Sequence, residues 1–551
     1  MKTSPTNQKL RCGYYTPQTI ARFLCQWAIT NSSAKILEPS CGDGNVLIEA
    51  ANVLSQFGSS SIEIGKQLNG VELYDSEAIR CIDRLKEIGI NVPRHNITIG
   101  DFFLWCQDMN GGGPRFDAIV GNPPFIRYQN FSEDQKKIAI SIMNKAGLRP
   151  NRLMNAWVPF LVVSTKLLGD HGRLAMVIPA ELLQVNYAAE TRRFLSENFS
   201  RIALITFRHL VFDGIQQEVV LLLGEKNGDE RNGITTIEFD GAEDLVSENN
   251  FIIPRDELKP IDHTAEKWTQ YFLESEEILL LRKLRKDQKI KKLSNYAEVD
   301  VGIVSGMNEF FVSTKEKLQE YNLARYALPI VSRSARLEGI KYAKSDWESD
   351  AEKNLRSYLL DFSSVRKDRL PESVKRYVEY GEKNDFHIGY KCRIRNPWYV
   401  VPSIWVPDAF MLRQVHKYPK IVMNRADATC TDTIHRVKYL VALNKKARET
   451  FTAAFLNSMT FAFSEVLGRS YGGGVLELEP KEAEDLPVPF SENVQLDYKE
   501  IDKLVSTGNI EAVLDITDKV LLKDMLGLSN KEIKMLRGIW VKMRNRRTER
   551  R

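Results

Sequence analysis

Cysteine is scarce in this sequence. The 551 residues hold seven (Cys12, Cys25, Cys41, Cys81, Cys106, Cys392 and Cys430), and no two form a C-x-x-C pair. An odd count at irregular spacing argues against both a disulfide framework and a structural zinc site. The 7 histidines are equally dispersed, without an H-E-x-x-H pair, so no metal is expected. Long apolar runs are missing too. None reaches the roughly 18–20 residues of a membrane span, and MKTSPTNQKLRCGYY at the start has no apolar stretch behind its charges. No membrane association is expected, and the expected location is cytoplasmic. Charge of one sign is not in large excess either: 77 Lys and Arg stand against 72 Asp and Glu, a net charge of +5. That balance alone does not separate a nucleic-acid binder from another enzyme.

What is present is an ordinary globular composition, 43% hydrophobic and 27% charged, at a length that implies two or three domains. The first part alternates short β-rich apolar runs with amphipathic stretches. Strands are predicted at Ile36–Glu38, Leu68–Leu73, Ile97–Ile99, Asp117–Val120, Leu174–Ile178, Ile202–Phe207 and Glu218–Leu223. Helices are predicted at Pro17–Ile29, Val46–Phe57 and Ser76–Ile88. Strands separated by helices of this length predict a mainly parallel, doubly wound α/β sheet. The polar KNGDERNG segment at Lys226–Gly233 ends that pattern. The expected divisions are an α/β domain over 1–240, a linker over 241–294, a mixed α/β domain over 295–490 rich in Tyr, Trp, Pro and Arg, and a charged helical segment over 491–551.

The segment KILEPSCGDGNVLIEA reads as a strand, a tight turn and a helix, with Gly42 and Gly44 permitting the turn. In a doubly wound sheet, a nucleotide-like ligand sits at the carboxyl end of such a strand. GVELYD puts Glu72 at the end of the next strand, where a carboxylate can accept ribose hydroxyl protons. GDFF puts Asp101 after the third, where it can accept from a purine amino group. No lysine follows the glycines as a phosphate loop requires, so an acidic pocket for a cationic, phosphate-free ligand fits better. The strongest local signal is DAIVGNPPFIRYQ, a buried strand ending in Asn122-Pro123-Pro124-Phe125. An amino group conjugated into an aromatic ring is a poor nucleophile. Two acceptors beside it, the Asn122 side-chain oxygen and the Pro123 carbonyl, draw it toward tetrahedral geometry. Pro123 and Pro124 stiffen the loop and carry no competing N–H, and Phe125 offers a stacking face.

In order and kind, these motifs resemble the γ class of amino-methyltransferases, the TaqI-like adenine-N6 DNA methyltransferases of restriction–modification systems. YYTPQTIARFL, LEPSCGDGN, GVELYD, IGDFF, GNPPF, NAWVPFLVVSTKLLGDHGRLAMVIPAELL and HLVFDGIQQEVVLLLGEK carry the resemblance over about the first 225 residues. It implies a class I S-adenosylmethionine-dependent methyltransferase fold, Rossmann-like with a mainly parallel seven-stranded sheet, and S-adenosyl-L-methionine as cofactor. Thr16, Glu38, Ser40, Glu72, Asp101, Phe102 and Phe160 match cofactor-pocket positions, and Gly42 lies in the same turn. Asn122, Pro123 and Phe125 match the catalytic loop, with Pro124 inside it, and Phe212 matches a second aromatic wall around an extruded base. Phe125 stands where TaqI-like members often carry tyrosine, and SCGDG replaces the turn of TaqI itself.

The implied reaction is methyl transfer to a flipped-out adenine in double-stranded DNA at a specific site, with no cysteine nucleophile and with a cognate restriction endonuclease as functional partner. The later segments VGIVSGMNEFFV, NPWYVVPSIWVPDAF with KIVMNRADATCTDTIHRV, and GRSYGGGVLELEPKEAEDLPVP look like a DNA target-recognition region. There Arg393, Arg395, Arg413, Arg425, Arg469 and Gly473 are candidate DNA contacts. Other readings stay open: an RNA adenine methyltransferase, a glutamine methyltransferase acting on protein, or a non-catalytic DNA-binding subunit. No nuclease-like P-D…E/D-x-K arrangement is found, so a nuclease function in the same chain is not expected.

Overall fold

The computed structural model describes residues 15–108, 115–126, 130–150, 154–212, 218–226, 232–248, 251–263, 266–366, 368–440, 442–471 and 473–549. The described chain forms two compact units that divide at Ser275/Glu276.

In the first unit, α1 (Gln18–Ala28) buries Ile20, Phe23, Leu24 and Trp27 on one helical face. The chain then runs β1 (Ile36–Glu38), α2 (Asn45–Gln56), α3 (Ser61–Gln67), β2 (Leu68–Glu72), α4 (Asp75–Glu87), β3 (Ile97–Ile99), α5 (Phe102–Asp108), β4 (Phe116–Gly121), α6 (Glu133–Lys145), α7 (Trp157–Leu167), β5 (Leu168–Pro179), α8 (Glu181–Gln184), α9 (Ala189–Asn198), β6 (Arg201–Phe207), β7 (Val219–Glu225) and β8 (Gly233–Phe239). The strands join one sheet in the order β3-β2-β1-β4-β5-β7-β6-β8. Pairing is parallel except at β7, which runs antiparallel to both β5 and β6. β1 and β6 are buried at every position and β7 at all but its last, so they read as continuous apolar runs rather than alternating ones.

The sheet is the expected mainly parallel one with an eighth strand added. β8 pairs in parallel with β6 from Arg201↔Gly233 to Phe207↔Phe239. It lies just beyond the polar segment taken as the end of the pattern. Its first three residues are buried and its last four only half-buried. An edge strand of this kind draws its order from its neighbour, not from a pattern of its own.

Residues 241–294, expected as a linker, contain packed structure. Leu245, Trp268 and Tyr271 are buried, and Thr236 Oγ1 and Lys259 Nζ both donate to the Tyr271 carbonyl. Leu245 and Ile253 belong to the core cluster of the first unit, which continues past residue 240 to Ser275.

The second unit is a mixture of short strands and helices. Its largest sheet has the order Ala297–Val301, Ile434–Tyr439, Ala409–Leu412, Ile421–Arg425, Lys341–Ala343. An aromatic core gathers Phe310, Tyr377 and Trp398, with the Phe310 and Tyr377 rings stacked at 4.6 Å. The helices Tyr498–Ser506, Ile510–Thr517 and Asn530–Thr548 follow. The last of these is fastened by Arg547, whose guanidinium pairs with Glu465 at 2.9 Å, both side chains 2% exposed. No helix among the described residues is long and apolar enough to cross a membrane.

Candidate active site at the carboxyl ends of β1 to β4

Because β1 pairs with β2 on one side and β4 on the other, the strand order reverses at β1. In a doubly wound sheet such a reversal marks the usual ligand position, outside the carboxyl ends of β1 and β4. Gly42 (φ +50°) and Gly44 (φ +90°) shape the turn from β1 into α2. At Gly44 the need for glycine is double, since a Cβ would also fall 2.7 Å from Cys81 Sγ on α4. The turn is tied to β2 through Cys41 N–H donating to the Val71 carbonyl and Gly42 N–H donating to Glu72 Oε2, each at 2.9 Å. Tyr74 N–H donates to Glu72 Oε1 at the same distance. Glu72 is thus held by backbone N–H groups at the end of β2, with the carboxylate placed as an acceptor for hydroxyl donors. Burial raises the Glu72 pKa, and the backbone donors oppose that rise.

Glu38 ends β1 with 3% exposure, and its Oε2 has no hydrogen-bond partner among the described residues. Burial pushes its carboxyl well above the usual carboxylate range, and the negative charges of Glu72 and Asp43 add to the rise. Burial also raises Asp43, although Arg84 pairs with it at 2.7 Å. An unpartnered buried carboxyl is costly, and a cationic ligand group would offset that cost. The donor set is therefore suited to S-adenosylmethionine, which carries a sulfonium, an ammonium and ribose hydroxyls but no phosphate.

Asp101 caps α5: its Oδ1 accepts Phe103 N–H at 2.9 Å and Leu104 N–H at 3.1 Å. Phe102 and Phe160 stack on each other at 5.0 Å and 21°, and Phe103 meets Phe160 edge-on at 4.9 Å. The two phenylalanines singled out separately in the sequence form one apolar wall beside Asp101. Thr16 is buried, and its carbonyl accepts Asn45 Nδ2 at 3.4 Å, which joins the N-terminal segment to the start of α2.

The Asn122–Phe125 loop leaves β4 directly beside this turn. Gly121 at the end of β4 lies beside Glu38, 3.4 Å separating a built Cβ from Glu38 Cγ. Ser40 Oγ donates to the Asn122 carbonyl at 3.2 Å, linking the β1 and β4 loops. Pro123 is buried, and Pro124 and Phe125 are half-buried. Ala156 N–H donates to the Ile126 carbonyl at 2.8 Å and holds the loop exit against the start of α7. Phe125 packs on the core cluster that contains Phe212. Phe212 is 8% exposed, and residues 213–217 after it lie outside the described residues.

The basic candidates of the second unit differ sharply in their engagements. Arg395 donates to the Ser305 and Val304 carbonyls at 2.6 and 2.7 Å. Arg413 pairs with Glu477 and Glu479 at 2.6 and 2.9 Å, and Arg469 with Glu482 at 2.8 Å. Arg425 stands 3.8 Å from Glu449. Arg393 is exposed, with no acidic partner among the described residues. Gly473 has φ +89° with open space around its absent side chain, while Gly472 lies outside the described residues. One contact has no sequence signal as a site: Gln135 on α6 donates its side-chain N–H to Asp101 Oδ2 at 2.6 Å.

A family model described as N-6 DNA Methylase matches residues 2–301, more than half of the chain. A second, described as Type II methyltransferase M.Eco57I, C-terminal domain, matches residues 265–522. Type II methyltransferase M.AccI of Acinetobacter calcoaceticus is 24% identical over 533 residues, covering 92% of this chain and 92% of its own. Type II methyltransferase M.XamI of Xanthomonas campestris pv. amaranthicola is 23% identical over 501 residues, covering 87% and 85%. Among solved structures, the Type IIL restriction-modification enzyme MmeI in complex with DNA superposes with a TM-score of 0.52 at 13% identity, over 94% of this chain and 70% of that one. A nuclease-deletion mutant of the Type ISP enzyme LlaGI, in complex with a DNA substrate mimic, also reaches 0.52, at 12% identity over 91% and 55%. At such identities the two structures bear on the fold alone.

Proposed function

This chain belongs to the N-6 DNA methylase family, and on that footing we propose which of its residues carry the family's reaction. It is an adenine-N6 DNA methyltransferase that uses S-adenosylmethionine. The observation that carries the assignment is the hydrogen bond between Ser40 and Asn122, which joins the acid-lined turn after β1 to the Asn-Pro-Pro-Phe loop after β4.

When bound, the cofactor supplies an electrophilic methyl group on its sulfonium. The chain's residues do the rest by binding and orientation. Glu38 faces the cationic end, Glu72 accepts the ribose hydroxyls, and Asp101 accepts the purine amino group. Phe102 and Phe160 form the apolar wall, and Thr16, Ser40 and Gly42 close the pocket around it. The Asn122 side-chain oxygen and the Pro123 carbonyl accept from the amino group of a target adenine and hold it at N6. Pro123 and Pro124 present no N–H to compete. Phe125 and Phe212 flank the base, which must leave the duplex stack to reach this depth. Rate comes from placing donor and acceptor together in a preorganised electrostatic site.

Residues 1–240, with the packed segment after them, are assigned to methyl transfer. Residues 295–490 are assigned to reading the DNA target, with 491–551 as a helical closing segment. Arg393, being exposed, is the foremost contact candidate. Arg425, Arg469 and Gly473 are further ones, and Arg395 shapes the 304–305 backbone through its two carbonyl contacts. The biological role assigned is protection of host DNA against a cognate restriction endonuclease, in the cytoplasm.

The direct test is transfer of a labelled methyl group into unmodified genomic DNA, with the modified bases mapped. N6-methyladenine confined to one short sequence is the expected result. Label in RNA alone, or at scattered positions, would overturn the assignment.

A further inference from the structure

The Asp101 carboxylate has almost exhausted its acceptor capacity inside the protein. A carboxylate offers about four lone-pair positions. Oδ1 takes two backbone donors, Phe103 N–H at 2.9 Å and Leu104 N–H at 3.1 Å, and Oδ2 takes the Gln135 side-chain N–H at 2.6 Å. Among the described residues one position remains, on Oδ2, beside the donor that Gln135 supplies.

Gln135 is itself held at its other end. Its Oε1 accepts Ser132 N–H at 3.0 Å, and its own N–H donates to Ser132 Oγ at 3.2 Å, a capping box that starts α6. The one amide group therefore links the N-terminus of α6 to the Asp101 carboxylate. Phe131, just before the cap, contacts the Phe103 ring at 6.1 Å, a second link between the same two elements. α6 follows the Asn122–Phe125 loop in sequence, so the element after the catalytic loop is anchored on the pocket carboxylate.

We propose that Gln135 is a positioning residue for cofactor recognition: it holds the Asp101 carboxylate turned so that its remaining acceptor position selects a purine bearing a 6-amino group. An ionised carboxylate is an acceptor only, so a 6-oxo purine, which presents an acceptor there, is rejected. The proposal rests on assigning Asp101 to the purine end of the cofactor pocket.

The test is equilibrium binding by calorimetry, on the full chain, of S-adenosylhomocysteine and of its 6-oxo counterpart S-inosylhomocysteine. Asp101→Asn reports on the underlying assignment, and Gln135→Leu and Gln135→Glu report on this inference. Gln135→Leu is expected to weaken the adenosyl ligand about tenfold, the scale of one hydrogen bond to a charged group. It should also narrow the preference over the inosyl ligand. Gln135→Glu keeps the Ser-x-x-Glu capping box, so it separates loss of the tie from loss of the helix start. It places two carboxyls together that can share one proton, so its binding should approach wild type at low pH and weaken as pH rises. Wild-type binding by Gln135→Glu across the pH range, together with an unchanged purine preference in Gln135→Leu, would overturn the inference. If Asp101→Asn also leaves binding and purine preference unchanged, the assignment of Asp101 fails and takes the inference with it.

Discussion

Glu38 is buried at the end of β1 with one carboxyl oxygen unpartnered among the described residues, and burial raises its pKa well above the ordinary value of 4.5. A carboxyl whose folded-state pKa lies above its unfolded one contributes stability that is complete below the unfolded value and is lost as pH rises toward the folded value. Glu72 and Asp43 shift in the same direction, so the three carboxyls together should weaken the fold on the alkaline side. The ligand-free protein is expected to melt at progressively lower temperature as pH rises above about 5, and Glu38→Gln should flatten part of that slope. The same variant should bind S-adenosylmethionine more weakly, because the partner for the cationic end is gone. Melting curves across pH with calorimetric binding check both. An unchanged slope in Glu38→Gln would mean that Glu38 is already ionised in the ligand-free protein. At this scale the residue types are local features of the sequence: three carboxylates, a glycine turn and the Asn-Pro-Pro-Phe loop each stand out in their own segment. What it could not carry was pairing. Gln135 meets Asp101 across 34 positions, and only its role in the Ser132 cap has a local signature.

The turn between β1 and α2 is built on a left-handed Gly44 packed against Cys81. Gly44→Ala therefore meets two costs. A non-glycine residue in a left-handed conformation loses roughly 1–2 kcal/mol, and overpacking adds roughly 1–3 kcal/mol. Gly42, with φ +50° and nothing within 4 Å of a built Cβ, meets only the first. In denaturant titrations Gly44→Ala should lose about 2–5 kcal/mol and Gly42→Ala about 1–2 kcal/mol. Adding Cys81→Ala to Gly44→Ala should recover part of the loss, and equal losses at the two glycines would refute the close packing. Elements defined by their own pattern were readable: Ile36–Glu38 and Ile97–Ile99 coincide with β1 and β3, and the other expected strands lie within or overlap β2 and β4–β7. β8 was not. Its sequence, GITTIEF, follows a polar glycine-containing stretch, and it becomes a strand by pairing with β6, a contact no local window contains. α3 escaped notice for a related reason, since its seven residues are secured by the Ser60–Glu63 capping box rather than by a long apolar stripe.

For the molecule as a whole, cofactor chemistry and target reading are assigned to different units, and the two should respond separately to substitution. Arg393 is exposed and lacks an acidic partner among the described residues, whereas Arg413 and Arg469 already hold carboxylates. Arg393→Ala is expected to weaken DNA binding and lower the slope of log affinity against log salt by about one unit if it contacts phosphate, leaving cofactor affinity unchanged. The domain pattern of the second unit was the least readable part. Its sheets are short and pair across long separations, as where Lys341–Ala343 joins Ile421–Arg425. The central claim concerns the first unit: the loop after β4 activates the target amino group while the acids after β1, β2 and β3 hold the cofactor. The most direct measurement compares wild type with Asn122→Ala for methyl transfer into DNA and, on the same preparations, for calorimetric binding of S-adenosylmethionine. Transfer abolished with cofactor binding retained is the predicted result. Normal turnover by Asn122→Ala would contradict the account at its centre.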